Sequence, residues 1–268
     1  MSQSVADTQS SQKLELAPFV LLLLQIVAHL SIIPMVIYAD LYHWAIALAV
    51  YFLTGCFGMS VTYHRLLSHR SWNANKFIEY AGTLFGTIGL TGSSLAWTAI
   101  HVQHHNHTDD ELDPHSPMQK GFLRSHFLSM FEKPNLHFVK HLSKDPFHRF
   151  CHRYYLLIQL LYCSILLAID PFLIISAYLF PAAVLWNTGS SINSFCHAWG
   201  YKNFDLRNSA KNNWIFGILT FGEGWHNNHH RYPKRWNFQV KTFELDIGAL
   251  LIRIIRSKNR IEAADEIK

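Results

Sequence analysis

The chain reads as an all-α integral membrane protein: four transmembrane helices in two hairpins, under a cytosolic helical cap that holds a polyhistidine metal site. Three observations predict this class. Long runs contain no Asp, Glu, Lys or Arg, among them 18–38, 41–63, 154–169 and 171–201. Charged residues make up 15% of the 268, against roughly a quarter in an average soluble domain, while half are hydrophobic. Short histidine-rich words lie outside the four spans drawn from those runs.

Taken in order, the polar segment 1–16 precedes the first apolar run, and no small-residue cleavage site follows that run, so no cleaved signal peptide is expected. Spans at 18–38 and 41–63 are each long enough as a helix to cross a hydrocarbon core of about 30 Å. Their turn holds Asp40 and no basic residue. The segment 77–97 is nearly long enough to span. Gly82, Gly86, Gly89 and Gly92 weaken it as a simple spanning helix, and Thr91, Ser93 and Ser94 make its end polar. It is expected to be an interfacial or re-entrant element returning to the side it left. The second hairpin pairs 154–170 with 172–194 and turns at Asp170. Residues 64–153 and 195–268 form the cap, and 1–268 make one domain.

Basic residues crowd the cap segments, from Arg65, Arg70 and Lys76 through Lys120–Arg153 to Lys202–Lys241. The positive-inside rule then places both termini and all histidine words in the cytosol. The net charge of +5 therefore marks a membrane side and implies no nucleic-acid partner. Cys56, Cys151, Cys163 and Cys196 show no CxxC spacing and read as packed small hydrophobes.

The words are HRLLSH with His64 and His69, HVQHH with His101, His104 and His105, and HNNHH with His226, His229 and His230. A single HxxHH word fits a wet surface helix as well as a ligand set. Two copies plus HRLLSH on one membrane side do not. Within HVQHH the rings stand at i, i+3 and i+4, on one helical face, and HNNHH repeats that spacing. HRLLSH is spaced i, i+5, so its rings approach from different sides or the helix ends between them. All-nitrogen sites suit iron, copper, zinc or nickel. A structural zinc needs four ligands, and eight imidazoles exceed that. Two irons that activate dioxygen fit the count best.

These words, with HRLLSHR at 64–70, HVQHHNHTDDELDPHSP at 101–117, NSFCH at 193–197 and GEGWHNNHHRYP at 222–233, resemble the membrane fatty-acid desaturases. The match is to the Δ9 type that includes stearoyl-CoA desaturase and the bacterial acyl-lipid enzymes, and it covers roughly 15–255. The resemblance implies an oxygen-dependent desaturase that inserts a cis double bond into a saturated acyl chain carried on CoA or a membrane lipid. It implies two iron ions held by His64, His69, His101, His104, His105, His197, His226, His229 and His230, with Asn193 acting through a bound water. Trp97 would line the acyl tunnel. Asp109 and Asp113 would orient histidine rings, a role that helix capping rivals. The family's HRxHH has Val102 in place of Arg, and Thr98, Ala99 and Ile100 follow Trp97 where acyl-CoA enzymes carry polar head-group contacts. No fused haem segment, CxxC cluster or dinucleotide fingerprint is present, so ferredoxin or cytochrome b5 with its reductase is the implied electron donor. A bacterial inner membrane is favoured over the endoplasmic reticulum. A di-iron lipid hydroxylase is the runner-up, and a metal carrier or haem-binding protein the non-enzyme alternative.

Overall fold

The structure, a computed structural model, describes residues 19–256. The polar 1–16 segment and the two chain ends, expected on the cytosolic side, lie outside those residues. Helix dominates. Among the described residues the only β-type pairings are isolated bridges from Asn212 to Tyr201 and to Trp225.

Helices stand over all four predicted spans. α1 (Phe19–Tyr38) and α2 (Leu41–Ser68) have mean hydropathies of 2.5 and 1.8, and each is long and apolar enough to cross a bilayer alone. α3 (Lys76–Ile88) and α4 (Ser94–His107) follow. Two short helices come next, α5 (Pro117–Lys120) and α6 (Phe122–Phe127). α7 (Pro146–Arg153) and α8 (Tyr155–Ile169) pass the same test only as a pair, bent by 75° at Tyr154. α9 (Phe180–Asn193) is preceded by wide π-helical turns over Ile175–Leu179. Its second half carries Asn187, Thr188, Ser190, Ser191 and Asn193, and at 14 residues α9 is too short to cross a bilayer alone. α10 (Phe195–Ala198), α11 (Trp214–Leu219), α12 (His226–Arg231) and α13 (Ile247–Ile255) complete the fold.

Asp40 caps α2 by accepting from the His43 amide, and the His43 ring lies 2.6 Å from Asp40 and 3.7 Å from Asp170. The two predicted turns therefore meet at the end of the bundle far from the histidine words. Outward side chains such as Leu30, Ile33, Val36, Leu48, Leu160 and Leu161 are apolar and exposed, as a hydrocarbon solvent requires.

From Phe52 to Ser68, α2 runs in wide i→i+5 turns, ending with the His69 amide on the His64 carbonyl at 3.1 Å. This widening answers the i, i+5 spacing of HRLLSH. One turn now separates the two rings, and the helix ends between them.

The 77–97 segment is two helices rather than one. Asn75 caps α3 at the Ile78 amide, 2.9 Å away. α3 then runs antiparallel to α2, with Gly82 against Thr62, Gly86 against Gly58 and Gly89 against Thr54. A Cβ on Gly58 would lie 2.5 Å from the Gly86 nitrogen, so only glycine permits this approach. The chain turns through Leu90 and Gly92, both at positive φ, and Ser93 caps α4. α4 climbs back until Trp97 sits beside Tyr63 and His101 beside His64. The segment leaves and returns at the same end of α2.

Candidate metal centre

The words converge where α2, α4, α10 and α12 end or begin. Ligand atoms of His64, His69, His101, His105 and His229 lie within 4.8 Å of one another, and so do those of His104, His197, His226 and His230. Each HxxHH word is thus split between two groups. The reason is helical phase. At 3.6 residues per turn, positions i and i+4 share a direction while i+3 diverges from i+4 by about 100°. His101 and His105 serve the first group and His104 the second, whereas His226 and His230 serve the second and His229 the first.

The rings meet through Nε2. His64 and His229 approach to 3.0 Å, His69 and His101 to 2.8 Å, and His105 and His229 to 2.8 Å. In the second group His226 lies 3.0 Å from both His197 and His230, with His104 3.4 Å from His230. Ligands about 2.1 Å from a shared ion at right angles stand roughly 3 Å apart, so the donor set fits transition-metal ions. Burial, and then neighbouring rings, push His69, His101, His105, His226, His229 and His230 well below the usual imidazole range. Burial brings His197 down to about 4. Neutral imidazole is the form that offers a lone pair.

Behind the rings stand acceptors. Asp113, fully buried, accepts from His104 Nδ1 at 2.9 and 3.0 Å and from the amides of Asp109 and His115. Burial raises its carboxyl, but these donors overcome that and hold it well below the usual range. Asp109 accepts from Ser116 Oγ and from the amide and hydroxyl of Ser209, whose Oγ also lies 2.8 Å from His197 Nδ1. Trp97 stacks on His101 with ring centroids 5.0 Å apart and planes 10° from parallel. Asn193 ends α9, half-buried, four residues before His197, and its carbonyl lies 3.5 Å from Ser125 Oγ.

Four residues were missed by sequence reasoning. Glu223 accepts from His64 Nδ1, from Ser60 and from Arg65 Nε and Nη2. Burial raises its carboxyl, yet His64 and Arg65 bring it down to about 2. Arg65, fully buried, also grips Asp246 at 2.9 and 3.0 Å and the Trp236 carbonyl at 2.7 Å. His115 is buried with its ring 4.5 Å from His104, and among the described residues its Nε2 meets no hydrogen-bond partner. Charged residues immediately after His64 and before HNNHH were the available signal, since a charge inside a buried word implies an opposite charge nearby. Nothing in the sequence pointed to Asp246.

A family model for "Fatty acid desaturase" matches residues 42–245, which carry every one of these histidines. The chain belongs to the fatty acid desaturase family. It is 37% identical over 219 residues to the sn-2 palmitoyl-lipid 9-desaturase of Nostoc sp., covering 78% of this chain and 76% of the relative. It is 30% identical over 224 residues to the sn-1 stearoyl-lipid 9-desaturase of Anabaena variabilis, covering 80% and 82%. An acyl-CoA 5-desaturase of Anemone leveillei is 31% identical over 219 residues, covering 78% and 68%. The chain is accordingly an oxidoreductase that desaturates fatty acyl chains, and the hydroxylase reading is not favoured.

Proposed function

We propose that this desaturase uses two iron ions to insert a cis Δ9 double bond into acyl chains esterified to membrane glycerolipids. The observation that carries this reading is the division of nine inward Nε2 atoms into groups of five and four. His64, His69, His101, His105 and His229 would hold one ion, and His104, His197, His226 and His230 the other, with Asn193 reaching it through water. The ions supply what no acid–base side chain can, namely oxygen activation and hydrogen removal from two unactivated adjacent carbons.

The chain's own residues set geometry. Asp113 fixes the His104 ring so that Nδ1 carries the proton and Nε2 faces inward. Asp109 does the same for His197 through Ser209, and Glu223 for His64. Trp97, held flat on His101, is the wall against which an acyl chain is positioned, so that a single pair of carbons meets the centre. Conversion to the alkene with reduction of dioxygen to two waters consumes two electrons and two protons. Ferredoxin or cytochrome b5 would deliver the electrons at the basic cap.

Four spans, with the cap and both termini in the cytosol of a bacterial inner membrane, agree with the meeting of the two turns at the end opposite the histidines. Membrane-lipid carriage is supported by the apolar or small side chains at Ala99, Ile100 and Val102, where a CoA group would seek polar contacts.

The test is expression in a host lacking Δ9 activity, followed by analysis of each lipid class. A new alkene at carbon 9 of glycerolipid acyl chains, absent with His101→Ala, is expected. An alcohol, no new product, or a product that persists in His101→Ala refutes the reading, and a product confined to acyl-CoA refutes the lipid carrier.

A further inference from the structure

Residues 213–224 fall within 195–268, the segment expected to form part of the cytosolic cap. Between Asn213 and Gly224 the chain forms a closed loop. The Asn213 amide donates to the Gly224 carbonyl at 2.8 Å, the Gly217 amide returns to the Asn213 carbonyl, and the Gly222 amide to the Gly217 carbonyl. A Cβ on Gly224 would lie 2.1 Å from the Gly217 nitrogen, so the neck closes only around glycine. No charged residue occurs from Asn212 to Gly222.

Two features locate the loop. Its inner face packs on the middle of α2. The Leu219 carbonyl accepts from Tyr51 Oη at 2.6 Å, and the Phe221 ring stands 5.2 Å from Tyr51 and 5.7 Å from Phe52. Tyr51 lies roughly three helical turns below His64 on a helix apolar enough to span. Its outer face is the reverse of what water selects. Trp214, Ile215, Ile218 and Leu219 share one side of α11 and are 65, 46, 42 and 45% exposed. On α2, Leu48 and Phe52 are exposed and apolar as well.

We propose that the 213–224 loop dips into the bilayer beside α2, with the Trp214–Leu219 face solvated by lipid acyl chains. The inference rests on α2 crossing the membrane and adds a lipid-immersed element to the spans. It also makes the third histidine word emerge directly from the hydrocarbon, since Glu223 and His226 follow at the neck. A water-exposed loop would leave four large apolar side chains unpartnered on one helical face, which soluble surfaces rarely do.

The test is site-directed spin labelling of the full chain in phosphatidylcholine–phosphatidylglycerol proteoliposomes, in a Cys163→Ser background. Labels at Ile218→Cys and Ile215→Cys are compared with one at Leu48→Cys on α2 and one at Leu112→Cys on the cap. Power saturation should show Ile218 and Ile215 reached by molecular oxygen and shielded from a water-soluble nickel chelate, as at Leu48 and opposite to Leu112. Nickel access at Ile218 and Ile215 with Leu48 still shielded overturns the loop's insertion and leaves the span intact. Nickel access at Leu48 as well overturns the span itself. Shielding of Ile218 and Ile215 from both reagents means protein covers the face, and overturns the lipid assignment.

Discussion

Replacing Asp113 by Asn changes one atom and removes one charge at the back of the second histidine group. Asp113 Oδ1 accepts from His104 Nδ1 and the His115 amide, and Oδ2 from His104 Nδ1 and the Asp109 amide. Every lone pair faces an N–H, so either orientation of the Asn amide sets its NH2 against a donor. A hydrogen bond to a charged group contributes about 1.5–3 kcal/mol, and leaving a buried donor unpaired costs about 1–3 kcal/mol. His104 then loses its preference for the tautomer with Nε2 bare. Roughly 1.4–2.7 kcal/mol at the centre equals a 10–100-fold loss in metal affinity, the usual effect of removing an outer partner. The assay is metal content per chain after purification, by plasma mass spectrometry, alongside alkene yield in membranes. Asp113→Asn should lose metal from the His104 group and retain the other, so that content falls towards half while the far-ultraviolet helix signal persists. Full metal content and wild-type alkene yield in Asp113→Asn would refute the claim that Asp113 sets the His104 ring.

Other expectations rest on separate parts of the fold. Gly86→Val should lower the thermal midpoint, because its Cβ alone would stand 2.5 Å from the Tyr63 ring and overpacking costs about 1–3 kcal/mol; Gly189→Ala, where a Cβ meets nothing within 4 Å, should leave the midpoint unchanged or slightly raised. Asp246→Ala strands the fully buried Arg65 with one carboxylate fewer, and should cost about 3–5 kcal/mol in detergent-solubilised unfolding. Burial raises the Asp145 carboxyl, but Lys76 Nζ, the Phe147 amide and Tyr80 Oη hold it down at about 2. A depressed acid stabilises above its unfolded value near 3.8 and loses that contribution as pH falls towards 2. After allowance for solvent at Lys76 it amounts to about 1–2 kcal/mol, and Asp145→Asn should flatten the wild-type loss of stability over that window in acid titrations followed by tryptophan fluorescence.

The helices and the convergence of the histidine words were legible because their signals are local. An uncharged run of some twenty residues specifies a helix in hydrocarbon wherever it lies, and α1 and α2 answer 18–38 and 41–63 closely. An HxxHH word carries its geometry in its spacing, so three rings could be placed on one face of α4 before any fold was known. Their division between two groups was not read, although it follows from the same helical phase. What stayed hidden was non-local or exceptional. The wide turns of α2 have no propensity signature, and only the need to bring His64 and His69 together hints at them. The packing of 213–224 against α2 was missed because its uncharged stretch is too short to register as a span, and its contact with Tyr51 depends on the partner helix.

Arg65 shows why a charge belongs inside the first histidine word. It is wholly buried between Glu223 and Asp246, with its guanidinium 4.0 Å from the centre of the Phe238 ring. A buried ion pair is weak evidence for stability, since desolvation offsets most of the attraction. Its worth here is register. His64 must meet His229 across 165 residues of chain, and apolar packing tolerates small slips along a helix that a forked guanidinium does not. Glu223 binds Arg65 and His64 together, so any slip of the third word against the first breaks the salt bridge and turns the His64 ring at once. Gly222, at positive φ and with space for no Cβ between Asp246 and Arg65, lets the chain pass close enough for that contact. The residues GE before the third word and the R inside the first are therefore one device, which aligns two distant segments to the tolerance a metal centre requires.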